Sequence, residues 1–349
     1  MPELKNKMLG SEEIAFNVGN GCSQFPLVSV TVLSYNQAHF ILECLESIKA
    51  QQYPNMELII HDDASRDDSV EIIDSWLGKC DIPHRFLKSR VNRGICRSLN
   101  NILSHVRGKY VSGIAADDVW LPNKLFGQVR MMEQLPARVG VIYSDAMLID
   151  EDGKLLPGKF SEDGRCRNFK AMPEGDVHLA LWQDNFIAPM TILMKRECYE
   201  RVGIYDENLF AEDWDMWLRI SRHYDFIFSP EITVKYRIVG TSATRANFGR
   251  LVDDMCKTCL KHLQSGQLTA EAHKMAAKKL HSLASCSFDQ KSTLHTHNLL
   301  MAMKYRPTAG ILARLLLSGA GCNPELFKRA RSVVCRVLKG SGAVVNVLD

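Results

Sequence analysis

The chain has 349 residues, 46% of them hydrophobic and 24% charged, the proportions of an ordinary globular protein with a sizeable core. Its net charge of +3 is too small to argue for nucleic acid. Eleven cysteines, odd in number and scattered, point to reduced thiols rather than a disulfide framework, and the lone Cys256-x-x-Cys259 pair lacks the partners of a zinc site. Charge is uneven: from Ala246 onward there are 15 Lys and Arg against 6 Asp and Glu, behind a mildly acidic front. The start carries Glu3, Lys5, Lys7, Glu12 and Glu13 with no apolar core of a signal peptide, and no window approaches the roughly 18 apolar residues of a spanning helix.

Leu27–Leu33 is rich in β-branched residues and is predicted as the first strand, ending at Ser34-Tyr35-Asn36-Gln37. Phe40, Ile41, Leu45 and Ile48 keep helical spacing. Met56–Ile60 is the second strand and runs into Asp62-Asp63-Ala64-Ser65, with Val70, Ile73, Trp76 and Leu77 marking the next helix. Arg85–Leu87 is a weak third strand; Asn92-Arg93-Gly94 turns the chain into a helix marked by Leu99, Ile102, Leu103 and Val106. Lys109–Ala116 is a buried strand that stops at two adjacent acids, Asp117 and Asp118. Gly140–Asp145 and Ile187–Met194 are further strands, with residues 155–180 between them a weakly patterned excursion. A short helix at Glu197–Val202 and a second beginning at Glu212-Asp213-Trp214 follow, then strands at Phe226–Phe228 and Thr233–Ile238. From about Phe248 the pattern is purely helical.

Strands alternating with helices imply right-handed βαβ units and a parallel sheet. Three strand ends carry polar groups, at Tyr35-Asn36, Asp62-Asp63 and Asp117-Asp118, and a parallel sheet brings them to one rim. Adjacent carboxylates repel unless a cation, an arginine or solvent relieves them. Mg²⁺ is often shared between carboxylates and substrate phosphates, so the pair suggests a divalent cation carrying a diphosphate. Taken alone, Asp117 and Asp118 would equally serve to cap the next helix; convergence of the three strand ends favours the site.

The order of motifs resembles inverting family 2 glycosyltransferases of the GT-A fold. The pieces are Val30–Asn36, Leu58–Ser65, Asn92-Arg93-Gly94 with Asn100, Ala116–Trp120 with Pro122 and Leu125, and Ala211–Trp214 through Leu218-Arg219, together spanning roughly Pro26 to Thr244. The resemblance implies a GT-A, Rossmann-like, mostly parallel sheet over 26–245, after an extension at 1–25 and before a helical region at 246–349. It implies Ser34, Tyr35, Asn36, Asp62, Gly94, Asn100 and Asp117 around the nucleotide, with Tyr35 stacking on the base and Asp62 accepting from it. Asp117 and Asp118 would hold Mg²⁺ or Mn²⁺; Asp213 would be the catalytic base, with Glu212 assisting. Trp214 would pack a sugar face, and Arg219 would pair either with phosphate or with acids of its own helix. Two positions depart from the family pattern: Ala115 stands where a further Asp is usual, and Val239 where many relatives have His.

The expected activity is transfer of a sugar from a UDP- or dTDP-sugar to an acceptor hydroxyl with inversion, in surface polysaccharide or lipopolysaccharide synthesis. The alternative is a catalytically silent sugar-nucleotide or glycan-binding module. The partners would be the nucleotide sugar and a saccharide or lipid-linked saccharide, without nucleic acid. Apolar and basic residues alternate in the tail, from Ile311 to Leu316 around Arg314 and from Leu326 to Lys339. This suggests a cytoplasmic protein with peripheral membrane contact.

Overall fold

A computed structural model describes residues 25–319, apart from 163–165, 167–168, 210–211 and 241–247. Its centre is the parallel set β1 (Val28–Ser34), β2 (Met56–Asp62), β3 (His84–Lys88) and β4 (Tyr110–Ala115). Val28, Val30 and Val32 of β1 and Leu58 and Ile60 of β2 have no exposed surface, as expected of strands covered on both faces. Crossovers run through α1 (Ile41–Lys49), α2 (Ser69–Leu77) and α3 (Ile95–Leu103).

With β5 (Val119–Trp120), β6 (Val139–Ile149), β8 (Leu193–Lys195) and β9 (Asp225–Arg237), the sheet order is β3-β2-β1-β4-β8-β6-β9-β5. The chain moves outward from β1 to β3, then returns to place β4 on the other flank of β1. That reversal makes a topological switch point, where strand ends leave a crevice. The register sets Ser34 beside Asp62 and Leu33 beside Ala115, so three strand tips lie side by side at the crevice.

Beyond β5 (Val119–Trp120) and α4 (Lys124–Gln134), β6 (Val139–Ile149) pairs in parallel with β9 (Asp225–Arg237). The short β8 (Leu193–Lys195) bridges β4 and β6 antiparallel to both. Three expectations change here. The strand expected over Ile187–Met194 shrinks to β8 because Pro189–Thr191 form a 3₁₀ turn, which a proline without an N–H starts readily. The two late strands are one, β9, and register shifts near Ser144 and Asp145 absorb its Pro230. Part of the 155–180 excursion is ordered as β7 (Leu155–Lys159) on the edge of β6, with Phe160 buried against Tyr236.

Past α5 (His178–Gln183), α6 (Glu197–Val202) and α7 (Glu212–Ile220) come four more helices, α8 (Phe248–Gln264), α9 (Ala270–Asp289), α10 (His295–Tyr305) and α11 (Ala309–Gly319). One hydrophobic cluster runs from the sheet into them, and Cys256 and Cys259 lie in it with no exposed surface. The cysteines of the described residues are free thiols. The basic segment from Lys328 to Lys339 lies outside the described residues. Among the described residues no helix is long and apolar enough to cross a membrane.

Candidate active site

The switch-point tips supply the first wall. Tyr35 is 41% exposed at the end of β1, an aromatic face left open to a ligand. Asn36 adopts φ 52°, and its Oδ1 accepts from the Arg66 N–H while its own N–H donates to Ser65 Oγ, which ties the β1 tip to the loop after β2. Asp62 points inward: 1% exposed, it accepts from Ser34 Oγ, the Ser65 N–H and Ser65 Oγ. Its carboxylate holds the turn together, and Ser34 is buried with it. Its neighbour Asp63, expected at the same strand tip but given no role of its own, has a distinct one. Asp63 accepts from the N–H groups of Arg93 and Gly94 and so fixes the turn that enters α3. Gly94 sits there at φ 87°, a conformation that favours glycine.

The second wall is the acidic pair after β4. Asp118 is 1% exposed; Oδ1 accepts from the Arg237 N–H at 2.9 Å, while Oδ2 is buried with no partner. Burial pushes the Asp118 carboxyl well above its ordinary range, and the neighbouring Asp117 charge adds to this while Arg237 opposes it. Asp117 is also raised by burial. Arg237 braces the motif without neutralising it, since its guanidinium donates to the carbonyls of Asp117, Asp150 and Glu151 and to the Glu43 carboxylate. An orphaned buried carboxylate oxygen beside a second carboxylate has the donor chemistry of a hard cation. Among the described residues no group of three acidic, His or Cys side chains surrounds such an ion, in keeping with Ala115 and Val239 at the two departing positions.

The third wall is the start of α7. Asp213 Oδ2 accepts from Asn185 Nδ2 at 2.9 Å, and Oδ1 from the Trp214 N–H at 2.7 Å. Burial first, and then the Asp213 charge, push Glu212 up to about 8. Glu212 therefore keeps its proton at neutral pH, and the unfolded chain releases one near 4.3. Native stability is consequently lost as pH rises from about 4.3 toward 8. Glu212→Gln is expected to melt with the wild type at about pH 4 and increasingly above it toward about pH 9, as thermal denaturation across pH would record. Equal melting at both ends would contradict a buried, protonated Glu212.

Three expected contacts are engaged elsewhere. Trp214 is 1% exposed, donates Nε1–H to the Leu181 carbonyl and packs edge-on to Trp182, so its ring belongs to the core and not to a sugar. Arg219 takes the second of its two expected roles, binding Asp215 and the carbonyls closing α6. Asn100 exchanges hydrogen bonds with the backbone of Tyr205 and so holds the segment ahead of α7. Burial works to raise the Asp215 carboxyl, but the His262 hydrogen bond, Arg219 and Lys261 override it and hold that carboxyl far below the usual range. That cluster locks α7 to α8. Lys279 of α9 does the same for the Asn185 loop, binding the Gln183 carbonyl and Asp184.

A parallel sheet with a nucleotide-type switch point, an acidic pair and an acid-headed helix across the crevice defines a GT-A glycosyltransferase architecture. The sequence pattern of Glycosyl transferase family 2 matches residues 29–203, and the chain belongs to that family. It is 28% identical to an uncharacterized glycosyltransferase of Rickettsia prowazekii over 246 residues, 70% of this chain and 74% of that one. Among solved structures, a mannosyltransferase of Pyrobaculum calidifontis in complex with GDP-Man and Mn²⁺ superposes with a TM-score of 0.56 at 19% identity, covering 88% of this chain and 84% of that one. S. aureus TarS in complex with UDP-GlcNAc does so with a TM-score of 0.60 at 16% identity, covering 80% and 81%.

Proposed function

We propose that this glycosyltransferase is an inverting, hexosyltransferase-type enzyme. It moves one sugar from a nucleoside diphosphate, UDP or dTDP by preference, to a hydroxyl of a surface polysaccharide or lipopolysaccharide precursor. The observation that carries the proposal is the Asp213 carboxylate, steadied by Asn185 and facing the same cavity as Ala115 at the tip of the β4 strand, two residues from the acidic pair.

Tyr35 stacks on the base, and Gly94 lets the backbone approach the nucleotide. Mg²⁺ or Mn²⁺ held by Asp117 and Asp118 would supply positive charge to the departing diphosphate. Asp213 takes the proton of the acceptor hydroxyl as that oxygen attacks the anomeric carbon from the face opposite the diphosphate. Glu212, protonated, places no negative charge directly beside the base, while the charge of Asp215 is held by Arg219, Lys261 and His262. Exposed Leu312 and Leu316, one turn apart on α11, support a peripheral membrane contact that sedimentation with anionic vesicles at low salt would test; a chain left in the supernatant would refute it. Ala115 and Val239 favour, as a second reading, a silent sugar-nucleotide-binding module.

The test is transfer itself: a panel of nucleotide sugars with a saccharide acceptor, scored for diphosphate release and for the anomeric configuration of the product. Inversion supports the proposal. Binding without turnover would support the silent module.

Asn185 sharpens the test. Its amide orients Asp213. Asn185→Ala is expected to lower kcat by about 10- to 100-fold through misplacement of the base. The calorimetric affinity for nucleoside diphosphate should stay unchanged; a parallel loss of that affinity would mean the residue merely holds up the fold.

A further inference from the structure

Below the acid-headed helix lies a cavity of about 240 Å³ between the sheet and α3. The strand bodies from Ala115 back to Val111 form one side, Leu99 and Ile102 of α3 the other, and Trp217 closes it next to Glu212 and Asp213. Four residues of strand span about 13 Å, which is the depth from the acids to the floor.

We infer that this cavity is a binding site for an apolar acyl or alkyl group carried by the acceptor, adjacent to the hydroxyl that is glycosylated. The inference rests on Asp213 being the base. The cavity includes Asp213 but none of Tyr35, Asn36, Asp63, Asp117 or Asp118. A substituent reaching it therefore belongs to the molecule whose proton Asp213 removes, and not to the nucleotide.

Chemistry excludes a sugar as the occupant. A saccharide ring carries hydroxyls that each need a partner, and burying them unpartnered is unfavourable. The walls are chiefly aliphatic, and the hydroxyls of Tyr199 and Tyr205 are bonded to each other at 3.0 Å. An apolar chamber beside the base suits the hydrocarbon of an acyl or alkyl substituent. The protonated Glu212 at the mouth adds no second negative charge to repel it.

The test compares octyl and methyl β-glucoside, the former below its micellar concentration, by tryptophan fluorescence and calorimetry on the full chain. Titration with UDP and Mn²⁺ runs in parallel. The octyl glycoside is expected to bind at least about tenfold tighter, as burial of several methylenes requires. Leu99→Trp, which fills the cavity, and Leu103→Phe, a milder filling that guards against a folding defect, should each reduce that preference while leaving UDP affinity unchanged. Equal binding of the two glycosides to the wild type would overturn the inference, and so would a preference that survives both fillings, because the octyl chain would then lie on the surface. Loss of UDP binding by the wild type would instead sink the transferase reading and, with it, the assignment of the chain to an acceptor.

Discussion

Asp213→Asn is expected to lower the transfer rate by about 10²–10⁴-fold, the usual contribution of a positioned general base. The amide keeps the size of the carboxylate and its hydrogen bond from the Trp214 N–H, so the start of α7 should stay in place. It removes the lone pair that receives the acceptor proton. Nucleotide affinity should remain within about twofold, since an interaction made only in the transition state acts on kcat and kcat/KM alike. Steady-state kinetics alongside calorimetry separates the cases. Undiminished turnover would move the base elsewhere, and turnover lost together with nucleotide affinity would indicate a collapsed site.

The second large effect concerns the acidic pair. In Asp118→Asn the Oδ1 acceptor for the Arg237 N–H survives, the ionisable carboxyl beside Asp117 is lost, and an amide NH₂ takes the place of the unpartnered Oδ2. Relief of like-charge repulsion and of desolvation should leave the metal-free protein at least as stable as the wild type. The cation, however, loses one of two carboxylate ligands, and the metal-assisted gain in nucleoside diphosphate affinity is expected to fall by at least about 100-fold. Thermal denaturation with and without Mn²⁺ and UDP reads both. A variant that is destabilised without metal yet retains the metal-dependent gain would show that Asp118 is a structural acid.

These effects trace back to unequal legibility in the sequence. The alternation of β-branched runs with helical spacing was enough to expect the parallel core, even though Ser29 and Thr31 of β1 and Glu57 of β2 are polar residues buried within it. The strand-tip acids were equally visible, since charge at the end of an apolar run is locally anomalous. What each acid does was not. Asp62 and Asp63 are adjacent in sequence, yet one closes its own turn and the other anchors Gly94, which depends on where β2 stops relative to the pleat. Trp214 and Trp217 stand three residues apart on α7, and both lie in the core, Trp214 against Trp182 and Trp217 against Phe226. Asn185 carried no signal at all: it sits on a loop after a short helix, and only the fold brings it to Asp213, 28 residues on. The strand expected over Ile187–Met194 disregarded Pro189, where a turn forms instead, while Pro230 did not break the late strand, since β6 and β9 continue past a bulge.

If the switch-point crevice is a metal-assisted nucleoside diphosphate site, its affinity for nucleotide depends on the cation. Calorimetric titration of UDP, dTDP and GDP into the purified chain with Mn²⁺, with Mg²⁺ and with chelator tests it most directly. UDP or dTDP is expected to bind strongly with the cation and at least tenfold more weakly, by about 1.4 kcal/mol or more, in chelator. Binding of none of the three nucleotides under any of these conditions would contradict it.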